Sequence, residues 1–168
     1  MRTDDQCEDR WCWWSRQYEY PWVLANLLPG STHNTGCGGC HPVHCDFARA
    51  LEDCGQAVHS DISLEQAVPG AVVYDLKQPW GGVPFDNVLC ISVLEHLEGA
   101  GEILGNLWQQ TRGVLLVTFD YPCDSLTEIE GWCGRSLERQ PPLLSSENCR
   151  MPYTMCGTWN VGALKCVQ

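Results

Sequence analysis

Two nearly continuous apolar runs constrain this chain's fold more than any other feature. Residues 87–92 read Asn-Val-Leu-Cys-Ile-Ser and residues 113–119 read Gly-Val-Leu-Leu-Val-Thr-Phe. Each is strand-length and carries β-branched residues without polar alternation, which marks a strand buried on both faces. Between them, residues 102–110 place Ile103, Leu104, Leu107 and Trp108 on one side of a predicted helix. Strand, amphipathic helix and strand in that order predict a parallel sheet covered by helices, the α/β class.

The remaining segments extend the pattern. Residues 45–54 read as a helix with Phe47, Ala48, Ala50 and Leu51 on its apolar stripe and Gly55 as its stop. Short strands are predicted at 31–35, at 56–60 closed by Asp61, and at 71–74 closed by Asp75, with a last strand at 157–167. The aromatic lead-in at 10–28 predicts one helix up to about Tyr20, a break at Pro21, and a second short helix ending at Pro29-Gly30. The expected organisation is a single three-layer αβα domain. Residues 1–30 form its helical lead-in, 31–120 its core and 121–168 its closing strands.

Charge and cysteine content narrow the function. Ten Lys+Arg against 21 Asp+Glu give a net charge of −11 in 168 residues, and no basic patch offers phosphate neutralisation. No nucleic-acid partner is therefore expected. No apolar run approaches the ~20 residues that span a bilayer, and the acidic N-terminus does not read as a signal peptide. The expectation is a soluble, cytoplasmic chain without a membrane partner. The 12 cysteines would suit a small secreted disulfide scaffold, but that reading needs export. Thiols are expected instead.

One cluster stands out: Cys37, Cys40, His41, His44 and Cys45. Cys-x-x-Cys-His is the c-type haem attachment pattern, and these groups also suit zinc. Haem attachment follows export, and a structural zinc site usually draws on a second Cys pair that is missing here. The simpler reading is a glycine turn with spare thiols and no metal.

In an open parallel sheet, ligands bind beyond the carboxyl ends of the strands. Those ends carry Gly36-Cys37-Gly38-Gly39, then Asp61, Asp75 and residues 92–96. A glycine turn allows close backbone approach to a ligand. An acidic residue about 25 positions on, Asp61, can take a ribose diol, and Asp75 an adenine amino group.

These residues also carry a resemblance. Phe85-Asp86-Asn87-Val88-Leu89-Cys90-Ile91-Ser92-Val93-Leu94-Glu95-His96-Leu97 resembles the fourth-strand motif of class I S-adenosylmethionine-dependent methyltransferases. Asn34-Thr35-Gly36-Cys37-Gly38-Gly39 resembles their first glycine motif, and Val58-His59-Ser60-Asp61 and Tyr74-Asp75-Leu76 their second and third strand ends. Tyr18-Glu19-Tyr20-Pro21-Trp22-Val23-Leu24 is similar to a lead-in helix of small members.

The resemblance implies a Rossmann-like methyltransferase sheet with a C-terminal antiparallel strand and S-adenosylmethionine as cofactor. It implies Gly36 and Gly38 under the methionine moiety, with Asn34 where an acidic residue is usual. Asp61 would hold the ribose hydroxyls, Asp75 and Leu76 the adenine, and Ser92 and Val93 the region of the sulfonium. Glu95 and His96 would stand at the pocket mouth, His96 as a candidate base or a pocket-edge residue. The acceptor would be a small molecule or a glycan-type molecule. The chain departs from the pattern in its polar first strand (Ser-Thr-His-Asn-Thr) and in a link from Asp75 to Phe85 too short for a helix. Two rival readings stand beside methyl transfer. One is a degenerate, non-catalytic binding protein that keeps the fold; the other is a metal-binding or redox module built on the Cys37–Cys45 loop.

Overall fold

A computed structural model describes residues 15–38, 41–65, 67–121, 123, 124, 126–133, 138, 139 and 160–168. Gly39 and Cys40 of the motifs above, and residues 10–14 of the aromatic lead-in, among them Trp11, Trp13 and Trp14, lie outside the described residues. The strands are β1 (Thr32–Thr35), β2 (Ala57–Asp61), β3 (Val72–Val73), β4 (Phe85–Ile91), β5 (Thr111–Tyr121), β6 (Glu138–Arg139) and β7 (Asn160–Val167). The helices are α1 (Arg16–Asn26), α2 (Pro42–Cys54), α3 (Ala100–Gln109) and α4 (Leu126–Cys133), with a 3₁₀ turn at Leu94–His96. The strands form one seven-stranded sheet in the order β3-β2-β1-β4-β5-β7-β6. β1 to β5 run parallel, and β7 pairs antiparallel with both β5 and β6.

The two apolar runs are central strands, and their side chains alternate between two cores. Leu89 and Ile91 of β4 and Val114 and Leu116 of β5 pack with Tyr20 and Val23 of α1 and Val43, Phe47 and Leu51 of α2. Val88, Cys90, Leu115 and Val117 point the other way, onto Ile103, Leu104 and Leu107 of α3 and Ile129 of α4. The result is the expected three-layer αβα sandwich with a C-terminal antiparallel strand. Among the described residues no helix is long and apolar enough to cross a membrane.

The polar first strand proves to be fully buried, with all four residues of β1 shielded from solvent. Its side chains are satisfied from the neighbouring strands β2 and β4 and from the C-cap of α3. His33 Nδ1 bonds Gln110 Oε1 at 2.7 Å and its Nε2 bonds Ser60 Oγ at 2.8 Å. Thr35 Oγ1 donates to the Leu89 carbonyl at 2.6 Å. Trp80, Phe85 and Tyr74 enclose the His33 ring, with centroids 4.5, 4.8 and 5.6 Å away. Buried polar groups with partners are tolerated where unpaired ones are not, so the strand keeps its place at the sheet centre.

Several expectations need correcting at their edges. Pro21 does not break the lead-in: α1 is continuous with Pro21 inside it. The lost backbone donor is offset by burial of Tyr20 and Val23 on either side, 3% and 0% exposed. Helix α2 begins three residues before the predicted 45, because Pro42 occupies its first turn, where no N–H is needed, and His41 Nδ1 caps the Val43 N–H. Strand β3 shrinks to two exposed edge residues. Residues 157–159 of the last predicted strand lie outside the described residues.

Candidate functional site

The carboxyl ends of β1 and β4 open into a cleft of about 80 Å3, floored by Asn34, Gly36, Gly38 and Ser92 and walled by Arg16, Tyr20 and His44. Gly36 and Gly38 take φ of +59° and +71°, the left-handed region open to glycine at little cost. Gly36 is also fixed sterically: a Cβ there would lie 2.5 Å from Val93 Cγ2. The turn is tied to β2 twice, by Cys37 N–H donating to the Ser60 carbonyl at 3.0 Å and Gly38 N–H donating to Asp61 Oδ2 at 3.1 Å. Asp61 Oδ1 accepts from Ser63 N–H at 3.3 Å. Two of the roughly four acceptor positions of a carboxylate are thereby used, and the others stay available.

Ser92 leaves β4 at φ +48°, in the left-handed region despite its side chain. A network reaching it from α1 holds it there. Its Oγ donates to Glu19 Oε1 at 2.6 Å and accepts from Arg16 Nη1 at 2.8 Å. Glu19 is fully buried and also accepts from Ser15 Oγ at 2.6 Å and Thr118 Oγ1 at 2.5 Å, while pairing with Arg16. Burial pushes the Glu19 carboxyl up, but Arg16 and the three hydroxyls outweigh it and hold it below the usual range. Desolvation likewise works against Arg16, and the Glu19 partner overcomes it. The pair is ionised, and it locks α1 to the ends of β4 and β5.

A second cleft, of about 200 Å3, lies beyond the 3₁₀ turn and is lined by Glu95, His96, Leu97, Glu98, Asp124 and Glu128. Glu95 Oε1 accepts from the Asp120 N–H at 3.1 Å. Its Oε2 is buried without a hydrogen-bond partner among the described residues. Burial, with Asp120 and Glu19 nearby, pushes its carboxyl up to about 7.

The predicted residues therefore divide. Asn34, Gly36, Gly38 and Ser92 line the first cleft; Asp61 and Val93 touch it through Gly38 and Gly36. Glu95 and His96 line the second. Asp75 lies at the end of β3, where its carboxylate accepts from Lys77 N–H at 2.9 Å. Leu76 is buried in the core of the α3 face, its carbonyl accepting from Asn106 Nδ2 at 3.2 Å. Arg16, Glu19 and Tyr20 were not predicted as site residues, and His44 was singled out only as a candidate metal ligand of the Cys37–Cys45 cluster. The available signal was Arg16 and Glu19, three residues apart and hence on one helical face, within an otherwise aromatic segment. Among the described residues no three His, Cys, Asp or Glu side chains come together as metal ligands. Cys37, Cys45, Cys54 and Cys90 are free thiols.

No protein-family model matches the sequence, and no curated protein matches it either. Solved structures do match. Magnesium protoporphyrin IX methyltransferase from Synechocystis PCC 6803, with bound SAM, is 18% identical, with a TM-score of 0.62 over 92% of this chain and 79% of that one. The N-methyltransferase NodS from Bradyrhizobium japonicum WM9 is 13% identical, with a TM-score of 0.64 over 90% and 93%. The [4+2]-cyclase SpnF is 11% identical, with a TM-score of 0.61 over 92% and 80%. Identities this low speak to the backbone alone, and on that level the chain has the fold of the class I S-adenosylmethionine-dependent methyltransferases.

Proposed function

We propose that this chain binds S-adenosylmethionine at the Gly36–Gly38 turn and transfers its methyl group to a small-molecule or glycan-type acceptor. The observation that carries the reading is the turn itself. Two left-handed glycines leave the backbone open to close approach, and the Asp61 carboxylate is bonded to that turn with acceptor capacity to spare. Donors and acceptors fit the group: Asn34 and Arg16 line the cleft, and Arg16 Nε is buried without a hydrogen-bond partner among the described residues.

Within this reading Asp61 holds the ribose hydroxyls, and Asp75 with Leu76 frames the adenine. Ser92 and Val93 border the reacting centre, next to the network anchored by Glu19. When bound, the cofactor would supply an electrophilic methyl carbon on a sulfonium: the acceptor's lone pair would form the new bond to that carbon in line as the C–S bond breaks and its electron pair leaves with the thioether, S-adenosylhomocysteine. What the protein adds is positioning and, for an acceptor that must lose a proton, a base. His96 is the candidate base. Glu95 beside it, with its carboxyl at about 7, exchanges a proton near neutrality. A second reading, in which the same cleft serves a different reaction or binding alone, is favoured by the cyclase SpnF on a similar backbone. Equilibrium dialysis with radiolabelled S-adenosylmethionine tests the assignment. Asp61→Ala is expected to weaken binding at least tenfold, since a lost charged acceptor costs about 1.5–3 kcal/mol. Unchanged retention of label by the variant would refute the placement.

A further inference from the structure

The wall of the first cleft contains a side chain that the resemblance does not assign. We propose that His44 recognises the carboxylate of the ligand's amino-acid end, as a neutral imidazole whose hydrogen Tyr20 fixes on Nε2. The inference deepens the methyl-donor reading and rests on it.

The hydrogen-bond directions follow from what each group can do. A guanidinium only donates, and with the Arg16 cation beside Tyr20 the favourable arrangement turns the hydroxyl oxygen, not its hydrogen, toward Arg16. The single hydroxyl hydrogen of Tyr20 is then directed to His44 Nδ1, 2.5 Å away. A neutral imidazole that accepts at Nδ1 carries its hydrogen on Nε2. Nε2 is also the ring atom nearest Gly38, 3.6 Å from where a Cβ on that glycine would stand, so the donor lies beside the glycine turn. The Tyr20 ring is held in place as well. The Tyr20 ring stacks on Phe47 at 3.8 Å and 5°, and Arg16 Cζ lies 5.8 Å from the Tyr20 centroid. Burial and the nearby Arg16 hold the His44 imidazole down to about 4, in agreement with a neutral ring.

The surroundings select an anion. His44 and Arg16 bring N–H donors to one side of the cleft, and no Asp or Glu is among its lining residues. Asn34 stands where the resemblance places an acidic residue. Its Nδ2 faces His59 Nδ1 at 3.3 Å, which leaves its carbonyl oxygen as the acceptor for the ligand's ammonium. A carboxylate on the donor side and an ammonium on the Asn34 side match the two ends of an α-amino acid.

Calorimetric titration with S-adenosylhomocysteine and with 5′-methylthioadenosine, which lacks the amino-acid end, separates this role from the wider reading. For His44→Phe, S-adenosylhomocysteine affinity is expected to fall about tenfold to a hundredfold, with the 5′-methylthioadenosine affinity unchanged. Tyr20→Phe should give a smaller loss confined to S-adenosylhomocysteine. Equal losses for both probes, or none for either, would overturn the role of His44 while leaving the methyl-donor site standing. A wild-type protein that binds neither probe would overturn both. Imidazole 15N spectra of the wild type need no variant: a protonated Nε2 and a bare Nδ1 at His44, with Nε2 shifting on addition of S-adenosylhomocysteine alone, are expected. A hydrogen on Nδ1 would overturn the proposal.

Discussion

Replacing Glu19 by Gln leaves the Arg16 guanidinium without its counter-charge at the wall of the first cleft, where it is largely shielded from water. The Glu19 side chain is 0% exposed and that of Arg16 15%. Breaking one side of a buried ion pair costs about 3–5 kcal/mol, and the slight exposure of Arg16 argues for the lower end, about 3 kcal/mol. Arg16→Met is milder, about 2 kcal/mol. The stranded Glu19 carboxylate keeps three hydroxyl donors from Ser15, Ser92 and Thr118 and can take up a proton once its cation is gone. With both groups neutral, no buried charge is stranded. The double variant is therefore expected to cost about 2–3 kcal/mol instead of the summed 5, a coupling of at least about 2 kcal/mol. Against a typical stability of about 5–15 kcal/mol these shifts are large. Urea denaturation at pH 7, followed by tryptophan fluorescence, reads them as changes in midpoint at constant slope. Single-variant losses that add to within about 0.5 kcal/mol would refute the account of α1 as ionically locked to β4 and β5.

Two further outcomes are expected. Gly36→Ala forces a side chain into the left-handed region and sets a methyl 2.5 Å from Val93 Cγ2; thermal unfolding should show a loss of about 2–4 kcal/mol, and a fully stable variant would contradict the turn geometry. His33 is held at about 4 by burial against about 6.5 when unfolded, so its contribution is fully present above pH 6.5 and is lost as pH falls toward 4. Between pH 7 and 5 the wild type should lose about 2 kcal/mol more than His33→Gln. Glu95, raised to about 7, acts in the opposite direction but equally in both proteins. Parallel pH profiles would contradict the burial argument.

The elements most readable from sequence were those whose burial is symmetrical. The apolar runs in β4 and β5 announced a central parallel sheet because both of their faces are covered, and Gly36, Gly38 and Asp61 sat where such a sheet ends. Strand β1 was harder to read. Its polarity is satisfied by Gln110 and Ser60, residues 77 and 27 positions away in sequence, and no local pattern encodes such pairings. Helix α1 hid its function for the same reason. Glu19 looks like a surface acid until Ser92 and Thr118, 73 and 99 positions on, close around it. The split of residues 92–96 between two clefts depends on the turn at Ser92, whose φ of +48° no residue preference foretells.

The most direct test of the central claim is calorimetric titration of the wild-type chain with S-adenosylhomocysteine. One saturable site per chain is predicted, competed by S-adenosylmethionine. No heat and no thermal stabilisation at millimolar ligand would contradict the account.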